Sequence, residues 1–531
     1  MRVVGKGRLL QHRIEIHDRK QVELKLELLP TGTEKFAKYG VELFFHVPGS
    51  LYITSETYPK HEVYGGVHNY VRLKTPSLTF AELARSSASP LVRLEALTSS
   101  QDGTLDEGEL VLTAKLFACS VRGALRRFTT RARRMAGSSK KRRECPENLI
   151  EETREVRQAL TDLFKRYRTW MEATGPQLKE LRTRTALALV DEYLSLSLEQ
   201  FFRMVVTRLE RFTHTGGWSE LRRFMLQAVL DEEAYRRAQG YPSILSMSGD
   251  NEAYMHRVGM LKKFCMHALF LSAKRTHRRR NAEEILLALA AGVAMLLATV
   301  IGTVAQLRLN QLSSSFMMVL IVAYMMKDRT KEAMRRLAAR FASKHFFDRT
   351  YDIHRVSGGE RVAKGQERVG YLNPSMVPHE LQLLRHEDEL VWATEGDLTE
   401  TILRYQKEIV ANVETLPRWG EGPSGVTDIL RFSVDRFLRD MDEPEFELEY
   451  VDAEDLTVGR VRAAKAYPVD LACRITAEEG GRKEIVTQVV RLVLDRNGIK
   501  RMDLLQTSDE SVHAAEEVGP RQVAADVPRY A

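Results

Sequence analysis

Residues 285–305 read ILLALAAGVAMLLATVIGTVA, and residues 312–326 read LSSSFMMVLIVAYMM. The first run carries no ionisable side chain and, at ~1.5 Å per residue, extends ~32 Å as a helix, enough to cross a ~30 Å hydrocarbon core. The second reaches ~22 Å by the same rise, so it must borrow residues 307–311, thin the bilayer or sit partly re-entrant. The competing reading is a buried helix pair in a soluble core. A soluble helix ordinarily shows a polar face, and residues 285–305 show none.

Basic residues bracket both runs. Lys274, Arg275, Arg278, Arg279 and Arg280 precede the first, and Lys327, Arg329, Lys331, Arg335 and Arg336 follow the second, while the connector holds only Arg308. Lys and Arg near membrane helices stay on the cytoplasmic side, so the expectation is a transmembrane helical hairpin over 285–326, inserted in the inner membrane with both soluble regions cytoplasmic. Neither run contains a charge, which argues against an ion or proton pathway. Along the first run Ala290, Ala294, Ala298 and Gly302 recur every fourth position and form a stripe where another backbone can approach closely. The second run of the same chain is the favoured partner, because the connector holds it nearby; a homo-oligomer through the same stripe is the alternative.

The chain has 531 residues, 44% hydrophobic and 29% charged, with a formal net charge of +8. That length can bury more than one core, and two or three domains are expected. The N-terminus lacks an apolar core of secretory-signal length, so insertion is expected to rely on the internal runs. Four scattered cysteines, Cys119, Cys145, Cys265 and Cys473, show no CxxC spacing and suit a reducing compartment.

The fold class expected is an α+β membrane protein. A small antiparallel β-rich domain covers 1–105, signalled by Val22, Leu24, Leu26 and Leu28 alternating with Glu23, Lys25 and Glu27. Helices fill 106–280, the last of them, 251–277, running straight into the first span. Beyond the second run an amphipathic helix over 331–344 opens a cytoplasmic α+β domain covering 331–505. It has a polar Gly-rich loop at 356–370, a strand near 381–392, helices over 398–415 and 426–441, and an antiparallel meander turning at Asn497-Gly498. Residues 506–531 read as a disordered tail.

A basic linker occupies 122–143, where Arg122, Arg126, Arg127, Arg131, Arg133, Arg134, Lys140, Lys141, Arg142 and Arg143 have no acidic residue among them. Anionic lipid headgroups are the functional partner this suits best, at ~1 kcal/mol per basic residue near the surface; a solvated linker weighs about as much, and nucleic acid less.

Signatures of catalysis are missing. The glycines Gly358, Gly359, Gly365 and Gly370 fit neither GxxxxGK[ST] nor GxGxxG, and no GxSxG elbow occurs. His379, Glu380 and His386 miss HExxH spacing; Cys265 and His267 diverge on a helix; Asp102, Asp106 and Glu109 miss the calcium-loop order. No catalytic, cofactor-binding or metal-binding residue is therefore assigned, and no cofactor is expected. The reading is a membrane-tethered cytoplasmic adaptor that binds protein partners or the anionic membrane surface. The alternatives are a stimulus-triggered membrane effector whose hairpin rearranges, and an enzyme without a local signature.

Overall fold

In the computed structural model the described residues are 2–6, 9–99, 106–138, 147–209, 216–276, 278–308, 314–356, 359–386, 400–418 and 423–513. Two antiparallel sheets face each other. The smaller has the order β1 (Arg2–Lys6), β2 (Leu10–Asp18), β3 (Gln21–Leu28), β10 (Val426–Ser433), β5 (Val67–Leu73). The larger has eight strands, in the order β15 (Gly498–His513), β14 (Arg482–Asp495), β13 (Tyr467–Glu479), β4 (Phe36–Pro48), β9 (Glu400–Asn412), β8 (Arg361–Leu372), β7 (Arg349–Arg355), β6 (Leu271–Thr276). Their inner faces share one core, in which Leu24, Leu430 and Phe432 of the smaller sheet join Val41, Phe45 and Leu403 of the larger. The Phe45 and Phe432 rings stack with centroids 4.2 Å apart. Burying each such side chain is worth ~1.5–3 kcal/mol.

Strands from both sides of the apolar runs interleave. β10 lies between β3 and β5, and β4 lies between β13 and β9. The division of the chain into a β domain at 1–105 and a separate α+β domain at 331–505 gives way to one sandwich built by both. Sequence proximity cannot announce such pairing, since β3 and β10 are some 400 residues apart, with Val426 opposite Leu28 and Ser433 opposite Gln21.

Several local expectations are corrected. Residues 398–415 and 426–441 are mainly the strands β9 and β10, not helices. The Gly-rich segment supplies β8, and the strand expected near 381–392 begins as a helix, His379–His386, with 387–399 outside the described residues. The helix expected over 251–277 stops at Met266; Leu271–Thr276 instead leaves it to pair with β7. β15 continues into the expected tail as far as His513, and 514–531 lie outside the described residues. The Asn497-Gly498 turn joins β14 to β15, with Gly498 at φ 129 and an added Cβ only 2.2 Å from the Arg19 carbonyl oxygen. Glycine is required there by both conformation and space.

A helical unit is inserted between β5 and β6. It comprises α2 (Phe80–Arg85), α3 (Pro90–Ser99), α4 (Glu107–Ser138), α5 (Glu147–Thr174), α6 (Leu181–Leu209), α7 (Gly216–Ala238) and α8 (Glu252–Met266), the short α1 (Lys60–Gly65) belonging to the sandwich. Phe117, Leu160, Tyr167, Leu194 and Phe202 are among the residues of its separate core. The basic stretch expected as a linker is helical through Ser138. Val121, Ala124, Leu125, Phe128 and Ala132 continue the apolar stripe beneath it, and all are buried.

Two long helices, α9 (Arg278–Arg308) and α10 (Ser314–His345), pack along one another. α9 begins two residues after β6 and α10 ends just before β7, so both leave from the same edge of the larger sheet. Among the described residues α9 alone is long and apolar enough to cross a membrane, over Leu287–Arg308 with a mean hydropathy of 2.3; α10 does not qualify. The amphipathic segment at 331–344 is the continuation of α10 and not a separate element.

Candidate membrane interface and binding surfaces

The exposed apolar side chains concentrate on two projecting elements. On α9 these include Ile285, Leu289, Leu296, Val300 and Leu307, and on α10 Met317, Met318, Ile321, Tyr324 and Met325, most of them more than half exposed. A soluble surface tolerates such residues singly, whereas a contiguous sheath marks a surface that another apolar phase or partner covers. The stripe residues lie on the packed side of α9: Ala290 and Ala294 are buried, Ala298 and Gly302 half-buried. A Cβ added at Gly302 would stand 3.7 Å from Leu320 Cδ2 of α10.

The second element is a two-stranded ribbon, β11 (Glu445–Val451) with β12 (Val458–Ala464), attached to neither sheet. Alternation gives it two unlike faces. Phe446 opposite Ala463, Leu448 opposite Val461 and Tyr450 opposite Gly459 make one apolar face. Glu445, Glu447 and Glu449 meet Arg460 and Arg462 on the other, at 3.4 to 3.8 Å. Phe446, Leu448, Tyr450 and Val461 are each about half exposed. An isolated ribbon of this kind is marginally stable in water unless its apolar face is covered. Sequence reading took the segment as part of a meander and missed its detachment, which depends on where the flanking strands go.

The basic residues of α4 divide. Arg122 donates to the Tyr193 hydroxyl at 2.7 Å, Arg127 donates to the Leu78 carbonyl, and Arg131 pairs with Glu152 at 3.3 Å. Arg126 and Arg134 point into solvent. Arg133 belongs to α4 by its backbone only, its side chain being outside the description, and Lys140, Lys141, Arg142 and Arg143 lie outside the described residues.

Three buried polar clusters hold the architecture together. Between the sheets, Lys407 Nζ lies 2.7 Å from Asp428 Oδ1, and the Tyr39 hydroxyl donates to Asp428 Oδ2 at 2.8 Å. Nearby, Glu367 accepts from the Tyr351 hydroxyl at 3.0 Å and from Asn69 at 2.5 Å. Burial, reinforced by the carboxylates, pushes the phenols of Tyr39, Tyr351 and Tyr405 well above their ordinary range, so they remain donors. In the helical unit Arg236 bonds Ser195 at 2.8 Å, the Ser243 carbonyl at 3.2 Å and Glu199, while Arg168 bridges Asp191 and Glu232. Under helix α11 (His379–His386), Arg385 contacts His46 Nδ1 at 2.7 Å, Glu400 at 2.8 Å and Asp470 at 3.3 Å. His46 Nδ1 also lies 3.4 Å from Glu400, so it stands between a guanidinium and a carboxylate, while its Nε2 is buried and unpartnered among the described residues. These donors and acceptors are aimed at one another and not at a shared space, an arrangement that fixes elements in place.

A cleft of about 660 Å³ opens where α3, α4, β6 and the β7–β8 turn meet, lined by Arg93, Arg355 and Arg418 against Asp106, Glu109 and Glu360. Asp106 caps α4 and Glu109 pairs with Arg93, while Asp102 lies outside the described residues. Among the described residues no group of three or more His, Cys, Asp or Glu is placed to hold a metal. Burial pushes the Cys119 thiol up to about 12 and raises those of Cys265 and Cys473, which leaves all three unreactive.

Compared with known proteins, the chain matches no family model, no curated protein and no solved structure.

Proposed function

We propose that this protein is a membrane-tethered adaptor. The observation that carries the reading is where the apolar surface is exposed: on α9 and α10, which leave the sandwich side by side, and on one face of the β11–β12 ribbon. The bilayer covers the helix pair. The basic residues Lys327, Arg329, Lys331, Arg335 and Arg336 at its base then lie against anionic headgroups, with the sandwich and the helical unit on the cytoplasmic side. The ribbon takes a protein partner, whose apolar side chains would fill the face formed by Phe446, Leu448, Tyr450 and Val461.

Alkaline carbonate washing of membranes from cells expressing the full chain tests the tether. The chain should stay with the membrane pellet, and release into the wash contradicts the reading. A photo-crosslinking residue at Leu448 tests the adaptor half. It should yield a discrete adduct that Val461→Glu removes without loss of the folded chain, and no adduct above that of an exposed control position contradicts it.

A further inference from the structure

β6 and β7 pair at the root, Thr276 opposite Thr350, and farther out the place of Gly302 against Leu320 sets the register of α9 against α10. Equal steps along two packed helices cover equal height, because both rise ~1.5 Å per residue. Eight steps back from Gly302 and eight on from Leu320 bring Ala294 level with Asp328. By the same stepping Met295 lies level with Lys327, and Ile285 with Leu337. The lower part of the apolar run of α9 therefore stands beside the charged stretch of α10, which holds Lys327, Asp328, Arg329, Lys331, Glu332, Arg335 and Arg336. Both helices are apolar together only from the level of Leu296 and Met326 outward, until Gln306 stands level with Phe316 and Arg308 with Ser314.

From the level of Leu296 and Met326 out to that of Arg308 and Ser314 is thirteen levels, ~20 Å, against the ~30 Å of an average hydrocarbon core. Drawing the pair deeper would carry Asp328, Arg329 and Lys331 into hydrocarbon, where each charge is costly. Leaving it at that depth in an average bilayer would strand Gln306 and Arg308, near the tip of α9, in hydrocarbon as well. Thinning the bilayer places both ends at headgroups. Lys327, Asp328 and Arg329 then mark the cytoplasmic boundary and Arg308 the opposite one, while Val293 lies in the headgroup layer level with Arg329.

Resting on the tether reading, we infer that the helix pair is a short anchor matched to thin, anionic bilayers, with its hydrophobic length set on α10 by the Lys327-Asp328-Arg329 boundary. The full chain is reconstituted into vesicles of myristoleoyl, oleoyl or erucoyl phosphatidylcholine, each with a constant share of the corresponding phosphatidylglycerol, and the carbonate-resistant fraction is measured by flotation. Insertion should be highest in the thinnest vesicles and fall severalfold toward the thickest. Replacing Lys327, Asp328 and Arg329 by Leu lengthens the apolar stretch of α10 by about one turn and should move the optimum to the oleoyl vesicles. Equal insertion across the three thicknesses, or an optimum that the triple substitution leaves in place, overturns the inference while the tether stands. No insertion at any thickness overturns the tether reading, and this inference with it.

Discussion

Lys407 and Asp428 form a salt bridge at 2.7 Å in the middle of the sandwich, each with a side chain about 1% exposed. They sit on strands from different sheets, β9 and β10, at positions where alternation would place apolar residues. Removing one partner leaves an uncompensated buried charge, whereas replacing both with apolar groups of similar volume removes the desolvation cost together with the attraction. Lys407→Ala and Asp428→Ala should each destabilise the protein by ~3–5 kcal/mol in urea unfolding followed by tryptophan fluorescence. The pair Lys407→Met with Asp428→Leu should recover most of that loss, and adding Tyr39→Phe should recover more, because the Tyr39 hydroxyl otherwise loses its acceptor. Single substitutions costing no more than a surface change would contradict this role.

The contact between α11 and the larger sheet should weaken in acid. Burial pushes the Glu400 carboxyl up, but His46 and Arg385 outweigh it and hold it down to about 2, from an ordinary 4.5. Its contribution to stability is thus complete above about 4.5 and is lost as the pH falls through about 2. Burial likewise lowers the pKa of His46 below its ordinary 6.5, so its neutral ring contributes fully above 6.5 and less as the pH drops through the lowered value. The urea midpoint should decline from about pH 6.5 downward. His46→Asn, which keeps an acceptor for Arg385 but cannot titrate, should flatten the upper part of that decline. Superimposable profiles between pH 6.5 and 4.5 would assign the acid sensitivity elsewhere.

Space under Tyr351 is fully used. A Cβ added at Gly365 would fall 2.1 Å from the Tyr351 ring, so Gly365→Ala must displace the ring and its hydrogen bond to Glu367. A destabilisation of ~1–3 kcal/mol is expected from overpacking, and Tyr351→Leu in the same chain should absorb part of it. A neutral Gly365→Ala on its own would show that the sheet adjusts freely there.

Ala294 faces the packed side of α9 and is 1% exposed, while its neighbour Met295 is 60% exposed. Ala294→Leu with Ala298→Leu should force α9 and α10 apart at a cost of ~1–3 kcal/mol, read as a lower melting temperature in detergent; Met295→Leu should leave it unchanged. Equal effects from both sets would remove the packing role from the stripe.

The Lys407–Asp428 pair also explains what the sequence conceals. Residues 400–412 and 426–433 alternate inward and outward, but with Lys407 among Leu403, Tyr405 and Ile409, and Asp428 among Val426, Leu430 and Phe432, the period of two is masked at its centre. Each partner disguises its own strand, and only the other makes it intelligible. β8 hides likewise behind Gly365 and the buried Glu367, which serve Tyr351. The strand at Val22 to Leu28, by contrast, carries its alternation openly, as does the apolar stripe of α4. The exposed face of the ribbon could be read from alternation in Phe446, Leu448 and Tyr450, but its separation from the sheets could not, because that is decided by β13 pairing with β4.

The tether is tested most directly by asking which phase surrounds α10. Bimane attached at Met318→Cys, a position 62% exposed, is compared with bimane at Met255→Cys on α8, 65% exposed, in full-length protein mixed with anionic vesicles containing nitroxide-labelled acyl chains. Cys119, Cys265 and Cys473 are buried, and Cys145, which lies outside the described residues, is replaced by Ser in both variants so that each carries one labelling site. Fluorescence at Met318 should shift to the blue and be quenched by the acyl-chain nitroxide, while Met255 stays unquenched and water-like. A water-like, unquenched signal at both positions would contradict the membrane anchor outright.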